Sequence, residues 1–173
     1  LALYAPGLGY YSAGARKFGA SGDFITAPEV APVFSRCVAA QCAEVLQSLG
    51  GGDVLELGAG SGVMAAAMLA ELEVLQSLPA RYLILDVSAD LRERQRETLA
   101  GAVPHLLDRV RWLDRLPDGM VGVVVANELL DAMPVEEGGT HEGAGAWGVV
   151  RGSGYRLPFG DASFDCIIIS EVL

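Results

Sequence analysis

The sequence predicts an α/β fold in which a mostly parallel sheet is flanked by helices. The first observation is that short apolar segments alternate with helical patterns in the order β-α-β-α-β-β over residues 53–126, and parallel strands require such crossovers. The second is a glycine-rich loop at residues 58–62 that joins a strand directly to a helix. The third is size, because 173 residues with 51% hydrophobic side chains suit one domain with a packed core.

The N-terminal part of the chain precedes this alternating pattern. Residues 1–34 are rich in Gly, Ala, Tyr and Pro and show neither helical nor strand periodicity, so they are interpreted as an ordered loop region. In residues 35–49, apolar side chains recur every three or four positions. This spacing predicts a helix, and the three glycines that follow at residues 50–52 should end it.

The central elements follow one another closely. Residues 53–57 form a short strand candidate, and residues 63–78, rich in Ala, Met and Leu, form the helix after the glycine loop. A second apolar strand at residues 81–87 leads to Ser88, which can cap a helix running through Leu99. Two further strand candidates complete the sheet, at residues 109–113 and 120–126.

The C-terminal part is harder to place. Residues 136–145 are polar and glycine-rich and predict a flexible connection. Two more strand candidates follow, at residues 147–151 and 164–170, and the second contains a wholly apolar segment suited to a buried strand. We therefore divide the chain into an N-terminal loop region, a ligand-binding core and a C-terminal region, at residues 1–34, 35–135 and 136–173.

Composition excludes several classes of function. The net charge of −10 repels nucleic-acid phosphates and anionic lipid surfaces, so no nucleic-acid partner is expected. The longest uncharged stretches, such as residues 58–70, are too short and too glycine-rich to cross a bilayer, so membrane insertion is not expected. Cys37, Cys42 and Cys166 form no CxxC pair, and only His105 and His141 could join them, so no metal site is expected. The cysteines are predicted to be reduced, buried small hydrophobes. A cytoplasmic bacterial protein, or a processed chain of the mitochondrial matrix, fits these features.

The glycine loop is the strongest sign of a ligand. Glycines after a first parallel strand let a ligand approach the backbone and the N–H groups of the next helix. Val63 stands where a dinucleotide fingerprint has its third glycine, which disfavours NAD. Glu56, just before the loop, suits a cationic ligand, and S-adenosylmethionine carries both an ammonium and a sulfonium. The alternative is a glycine turn that only assists packing.

Two acids follow the next strands. Asp86 closes the second strand, where a carboxylate can accept both ribose hydroxyls of a bound adenosine. The alternative is a solvated acid that caps the helix starting at Ser88. Asp114 ends the third strand and could meet the adenine amino group, or it could form a surface ion pair with Arg115 or Arg111.

A polar cluster follows the fourth strand. Asn127, Glu128 and Asp131 come at the rim where sheets of this type bind ligands, and their carboxylates could bind a guanidinium or accept a proton. The alternative is an N-cap at Asn127 with acids in the first helical turn. In the N-terminal loop, Asp23 and Glu29 have no periodicity to explain them, and they could equally be solvated loop charges.

Four ordered motifs together resemble the MidA-like class I methyltransferases, namely residues 17–29, 56–65, 86–95 and 126–135. That family includes the mitochondrial complex I assembly methyltransferase. The resemblance implies a Rossmann-like class I methyltransferase fold, S-adenosyl-L-methionine as cofactor and methyl transfer to an arginine of a respiratory-complex subunit. A protein substrate is therefore expected, and the sequence does not indicate an oligomeric state.

The resemblance also implies roles for individual residues. The glycines would surround the methionine part of the cofactor, and Asp86, where the family more usually has Glu, would bind the ribose. The loop at residues 22–29 and the Asn127 region would surround the methyl-transfer site. The cofactor-binding candidates are Glu56, Gly58, Ala59, Gly60, Ser61, Gly62, Asp86, Val87, Asp114 and Asn127. The catalytic candidates are Asn127, Glu128, Asp131 and Asp23.

The C-terminal region departs from the family. The match covers residues 4–135 and the chain ends 38 residues later, so we expect a fold that is truncated or rearranged at its C-terminus. Residues 155–173 resemble the fourth-strand region of small-molecule methyltransferases. Residues 121–128 and 165–171 both run from an apolar strand to a Glu, so one of them must occupy another position or lie outside the sheet. Alternative functions are a non-catalytic assembly module that binds S-adenosylmethionine, a small-molecule methyltransferase and, least favoured, a nucleotide-dependent oxidoreductase.

Overall fold

The computed structural model describes Pro28, residues 31–127 and the strand at residues 166–170. The described elements are, in chain order, α1 (Pro32–Leu49), β1 (Asp53–Leu57), α2 (Val63–Val74), β2 (Tyr82–Leu85), α3 (Ala89–Ala102), a 3₁₀ helix (Pro104–Arg109), β3 (Val110–Leu113), β4 (Gly122–Asn127) and β5 (Cys166–Ser170). The helices and strands predicted between residues 35 and 126 are confirmed, with ends that differ by a few residues. The predicted strand at 147–151, the connection at 136–145 and residues 1–27 of the loop region predicted at 1–34 lie outside the described residues. At its C-terminal end the loop prediction is wrong, because residues 32–34 already belong to α1, where Pro32 suits the first helical turn.

The five described strands form one parallel sheet in the order β3-β2-β1-β4-β5. Residues 121–128 and 165–171 were both candidates for the fourth strand, and the structure places a strand from each of them in the sheet. β4 and β5 are neighbours, with Val123 opposite Cys166. The segment at residues 166–170 therefore occupies another position in the sheet, at its edge beside β4, and does not lie outside the sheet. The chain adds β2 and β3 on one side of β1 and then crosses back to add β4 on its other side, which places a topological switch point between β1 and β4.

The core lies on both faces of this sheet. Side chains alternate along each strand, and those of Val54, Tyr82 and Val123 belong to the large cluster that includes α1 and α2. On the other face, a smaller cluster contains Leu55 and Val124. Burial on both faces explains why the strands read as continuous apolar runs rather than as alternating ones.

The end of α1 and the start of α3 follow the predicted signals. α1 begins at Pro32, whose fixed φ suits a first helical turn, and it ends at Gly50, which adopts a left-handed conformation with φ +74°. Ser88 caps α3, because its Oγ accepts a hydrogen bond from the Leu91 N–H at 3.3 Å. Among the described residues, no helix combines the length and the apolar character needed to cross a bilayer.

One expectation about the cysteines is wrong. Cys42 is buried in the core, but Cys37 is exposed. Both lie on α1, and five residues rotate a helix by about 140° beyond one full turn, so they cannot share its apolar face. The side chain of Cys166 lies outside the described part of the protein.

Candidate functional site

The glycine loop at residues 58–62 lies at the carboxyl end of β1, beside the switch point. The Gly58 N–H donates to the Leu85 carbonyl at 2.9 Å, and the Gly62 N–H closes a turn on the Ala59 carbonyl at 2.8 Å. Gly58, Gly60 and Gly62 all have positive φ, between 53° and 83°, which L side chains rarely adopt. A Cβ at Gly60 would meet no atom within 4 Å. The loop is therefore tightly folded yet open on one side.

The loop leads directly into α2. Gly62 is the N-cap residue, and within the described residues no side chain caps this helix and no acid lies in its first turn. The first backbone N–H groups of a helix have no intrahelical partners. The predicted combination of a glycine loop and an uncapped helix start is thus confirmed, and it leaves backbone donors for a ligand.

Asp86 follows β2 and is buried, with 7% of its surface exposed. Its Oδ1 accepts from the Ser88 N–H at 3.0 Å, and its Oδ2 accepts from Gln95 Nε2 at 2.8 Å. Burial raises the pKa of this carboxyl, and the hydrogen bonds from Ser88 and Gln95 lower it. The burial rules out the alternative of a solvated acid, and each oxygen retains acceptor capacity for a ligand hydroxyl.

Val87 comes next in the chain, and 56% of its surface is exposed. Its position directly after Asp86 leaves an apolar side chain at the carboxyl edge of the sheet. The role predicted for it in binding the cofactor stays a prediction.

Glu56 lies in the core beneath the loop, with only 2% of its surface exposed. Its Oε2 accepts a hydrogen bond from the Tyr82 hydroxyl at 2.7 Å. Burial raises the pKa of Glu56 to about 7; the Tyr82 bond opposes this and the nearby charge of Asp86 adds to it. Glu56 therefore influences the site through its charge and through the packing under the loop.

This burial predicts a pH-dependent stability. Because the pKa of Glu56 is raised from 4.5 to about 7, the stabilising effect of the protonated carboxyl is present below pH 4.5 and is lost as pH rises through 7. We expect the free energy of unfolding of the wild-type chain, relative to Glu56→Gln, to fall by about 3 kcal/mol over this range. Urea unfolding at pH 4.5, 6 and 8 measures it.

Glu93→Gln is the matched control, since Glu93 is an exposed carboxylate on α3. It removes a carboxylate by the same chemical change but not a buried one, so the comparison isolates the effect of burial at Glu56. A Glu56→Gln curve parallel to wild type would contradict the placement of an ionisable group in this core.

Asp114 follows β3, and its side chain is 90% exposed. Its Oδ1 lies 2.6 Å from Arg92 Nη1, so the ion-pair partners suggested by the sequence, Arg111 and Arg115, are wrong. Arg92 also donates to the backbone carbonyls of Asp86 at 2.6 Å and Leu113 at 2.7 Å. Arg92 thereby joins the carboxyl ends of β2 and β3. The sequence did not suggest this partner, because Arg92 lies 22 residues away from Asp114.

Asn127 is the last residue of β4. Its Oδ1 is buried and has no hydrogen-bond partner among the described residues. Buried acceptors are almost always paired, so the donor to this oxygen comes from outside the described residues, either from another part of the chain or from a ligand. The other catalytic candidates, Glu128, Asp131 and Asp23, lie outside the described residues, as does Glu29.

The sequence did not single out the residues of α3 that support the loop. Gln95 Nε2 donates to the Gly60 carbonyl at 3.1 Å, and Thr98 Oγ1 donates to the Ser61 carbonyl at 2.8 Å. A signal existed for Gln95, because it stands four residues before Leu99 and so falls on the same, buried face of a highly charged helix. A polar side chain on such a face indicates a buried hydrogen-bond network.

The electrostatic character of the site follows from these placements. Glu56 and Asp86 lie behind and beside the open loop, close enough for their charges to interact. Two carboxyl groups favour a cationic ligand and disfavour a pyrophosphate. The geometry therefore suits a ligand that carries positive charge and hydroxyl groups.

Sequence comparisons place these features in context. The profile of a family described as "putative S-adenosyl-L-methionine-dependent methyltransferase" matches residues 37–152. A mitochondrial protein arginine methyltransferase NDUFAF7 homolog of Caenorhabditis elegans is 27% identical over 169 residues, covering 84% of this chain and 39% of that protein. The Danio rerio protein arginine methyltransferase NDUFAF7, also mitochondrial, is 28% identical over 160 residues, covering 79% and 38%. The chain thus spans about two-fifths of the length of these relatives.

Solved structures show the same similarity in three dimensions. A Burkholderia thailandensis protein crystallised with bound S-adenosyl-homocysteine is 51% identical, with a TM-score of 0.72, and the match covers 77% of this chain and 35% of that one. A second structure, of a native protein from the same organism, is 49% identical with a TM-score of 0.67, covering 77% and 33%. The arrangement of sheet and helices described above is therefore shared with these proteins.

Proposed function

Because the chain belongs to the family of S-adenosyl-L-methionine-dependent methyltransferases whose profile it matches, we propose that it binds this cofactor at the carboxyl edge of β1, β2 and β4. We propose further that it transfers the methyl group to an arginine of a protein substrate. The arginine acceptor is suggested by the names of relatives that are 27% and 28% identical. A bacterial cytoplasmic or a mitochondrial matrix location is compatible with this function.

The described residues fit the cofactor. Gly60 leaves the loop open where a ligand can contact the backbone, and Asp86 retains acceptors for ribose hydroxyls. The buried acids suit a cationic ligand, and Asn127 Oδ1 lacks a donor among the described residues, which an ammonium group could supply. Val87 offers an exposed apolar surface beside Asp86.

The chemistry divides between the cofactor and the chain. When bound, S-adenosylmethionine supplies an electrophilic methyl group, and the C–S bonding pair stays with sulfur when the substrate nitrogen forms the new N–C bond. The chain binds and orients both molecules, which accounts for much of the rate enhancement in such transfers. In this proposal Glu128 and Asp131 bind the guanidinium and accept the proton that the methylated nitrogen loses. We assign Asp23 to the same substrate side.

One observation carries the proposal: an open glycine loop and a buried amide oxygen that no described residue pairs lie at the same switch point. Isothermal titration with S-adenosylmethionine and S-adenosylhomocysteine tests it. We expect binding at micromolar strength. No binding by a folded chain would overturn the proposal and also the alternative of a non-catalytic assembly module that binds S-adenosylmethionine, since that module requires the same cofactor pocket.

If Glu128 and Asp131 contact the substrate and not the cofactor, replacing them should affect turnover without affecting cofactor binding. Glu128→Ala and Asp131→Ala should each lower methyl transfer to an arginine-containing protein by about 100-fold while changing the affinity for S-adenosylhomocysteine less than about twofold. Radiolabelled methyl transfer and titration measure the two effects. Equal losses in both would contradict a substrate-side role. Cofactor binding without turnover on any protein would favour the assembly module, and turnover on small acceptors alone would favour a small-molecule methyltransferase.

A further inference from the structure

We propose that Gln95 is a positioning residue that holds the glycine loop and the Asp86 carboxylate in one fixed geometry for the cofactor. The inference rests on the proposed function, because it assigns Gln95 to the same binding site. Gln95 is 0% exposed, so it acts through the groups that it contacts and not by touching a ligand.

The amide of Gln95 joins three separate parts of the fold. Its Nε2 donates both to the Gly60 carbonyl at 3.1 Å and to Asp86 Oδ2 at 2.8 Å. Its Oε1 accepts from Trp112 Nε1 at 2.9 Å. A single buried side chain on α3 therefore connects the loop after β1, the acid after β2 and a tryptophan of β3.

The direction of the amide is set by its surroundings. Trp112 can only donate, whereas the Gly60 carbonyl and the Asp86 carboxylate can only accept. The reverse orientation would place the Gln95 oxygen against two acceptors and leave the indole N–H without a partner. An amide is thus the side chain that matches all three neighbours, and the match leaves no polar atom of Gln95 for another role.

The loop is oriented by the same helix. The carbonyl of a trans peptide points opposite to the following N–H, so the Gln95 bond to the Gly60 carbonyl turns the Ser61 N–H away from α3. Thr98 holds the next carbonyl in the same way. A Cβ at Gly62 would lie 3.0 Å from the Cα of Gln95, so loop and helix are in close contact. Because Gln95 bonds both the Gly60 carbonyl and Asp86 Oδ2, it sets the position of the Asp86 carboxylate relative to the loop backbone.

A double-mutant cycle on the 173-residue chain tests the coupling. Titration with S-adenosylhomocysteine is carried out on wild type, Gln95→Leu, Asp86→Ala and the double variant. We expect each single change to weaken binding about tenfold, and the double variant to be much less than 100-fold weaker, because part of the Gln95 effect passes through Asp86. A purely structural role would make the two losses multiply.

Two further variants provide a control and a second, independent test of the Gln95 contacts. Gln47→Leu makes the same chemical change at a glutamine that bonds Ser77 outside the site, and it should leave the dissociation constant unchanged. Trp112→Phe removes the donor to Gln95 while keeping an aromatic ring; it should weaken binding about threefold in wild type and not at all in Gln95→Leu. If Gln95→Leu does not fold, Trp112→Phe in the wild-type background is the deciding measurement, and an unchanged affinity there would overturn the positioning role.

The outcomes separate this inference from the proposed function. A wild-type chain that binds S-adenosylhomocysteine, together with an unchanged affinity in Gln95→Leu or with multiplying losses in the cycle, would overturn the positioning role alone. A folded wild-type chain that does not bind would overturn the proposed function and this inference with it.

Discussion

Gly60→Arg should reduce the affinity for S-adenosylhomocysteine by at least about 100-fold, equivalent to about 3 kcal/mol of binding free energy. Gly60 lies in the open loop at the carboxyl edge, and a Cβ there would meet no atom within 4 Å. The arginine side chain therefore extends into the space where a ligand approaches the backbone, and it brings a positive charge to a site suited to a cation. Isothermal titration measures the loss.

Folding should be little affected by this change. The φ of Gly60 is +53°, and an L residue in this region costs about 1–2 kcal/mol. Gly50→Arg is a matched control, because Gly50 also has positive φ and open space around its Cβ but lies at the end of α1, before β1 begins. It should show the same modest loss of stability and unchanged binding. Equal affinities for the two variants would contradict the assignment of the loop as the cofactor site.

Gly122→Ala should destabilise the fold by about 3–5 kcal/mol. Gly122 begins β4 opposite Asp53 of β1. A Cβ at Gly122 would overlap the Asp53 carbonyl oxygen and lie 2.7 Å from the Asp53 nitrogen. Its φ of +145° adds strain. Backbone atoms cannot rotate away as a side chain could, so the two central strands would have to separate. Urea unfolding monitored by circular dichroism measures the effect.

Gly119→Ala provides the comparison for this prediction. Gly119 lies three residues earlier, and a Cβ there would meet no atom within 4 Å. We expect its unfolding free energy to stay within about 0.5 kcal/mol of wild type. If Gly122→Ala were as stable as Gly119→Ala, the close approach of β1 and β4 at this point would be wrong.

Local patterns predicted most of the described elements. The spacing of apolar residues identified α1 and its end at Gly50, and the single residue Ser88 identified the start of α3. These features depend on side chains within one or two helical turns, so a linear pattern contains them. The glycine loop was recognisable for the same reason, since positive φ at Gly60 is a property of that residue and its neighbours.

Contacts between distant segments were not predictable in this way. Gln95 lies 35 residues from Gly60, and Arg92 lies 22 residues from Asp114, so nearby arginines were suggested for Asp114 instead. The exposure of Cys37 was missed because composition alone does not say which side of a helix a residue occupies. The placement of Glu56 against Tyr82 depends on the pairing of two strands.

The sequence by itself determined the α/β class, the order of its central elements and the glycine loop with Asp86 at successive strand ends, because periodicity and glycine conformation are local properties. Only the tertiary structure decided that β4 and β5 lie side by side, that Glu56 is buried with a raised pKa, and that Gln95 connects the loop to Asp86. Those outcomes depend on strand pairing and on desolvation, which arise when segments far apart in the chain pack together.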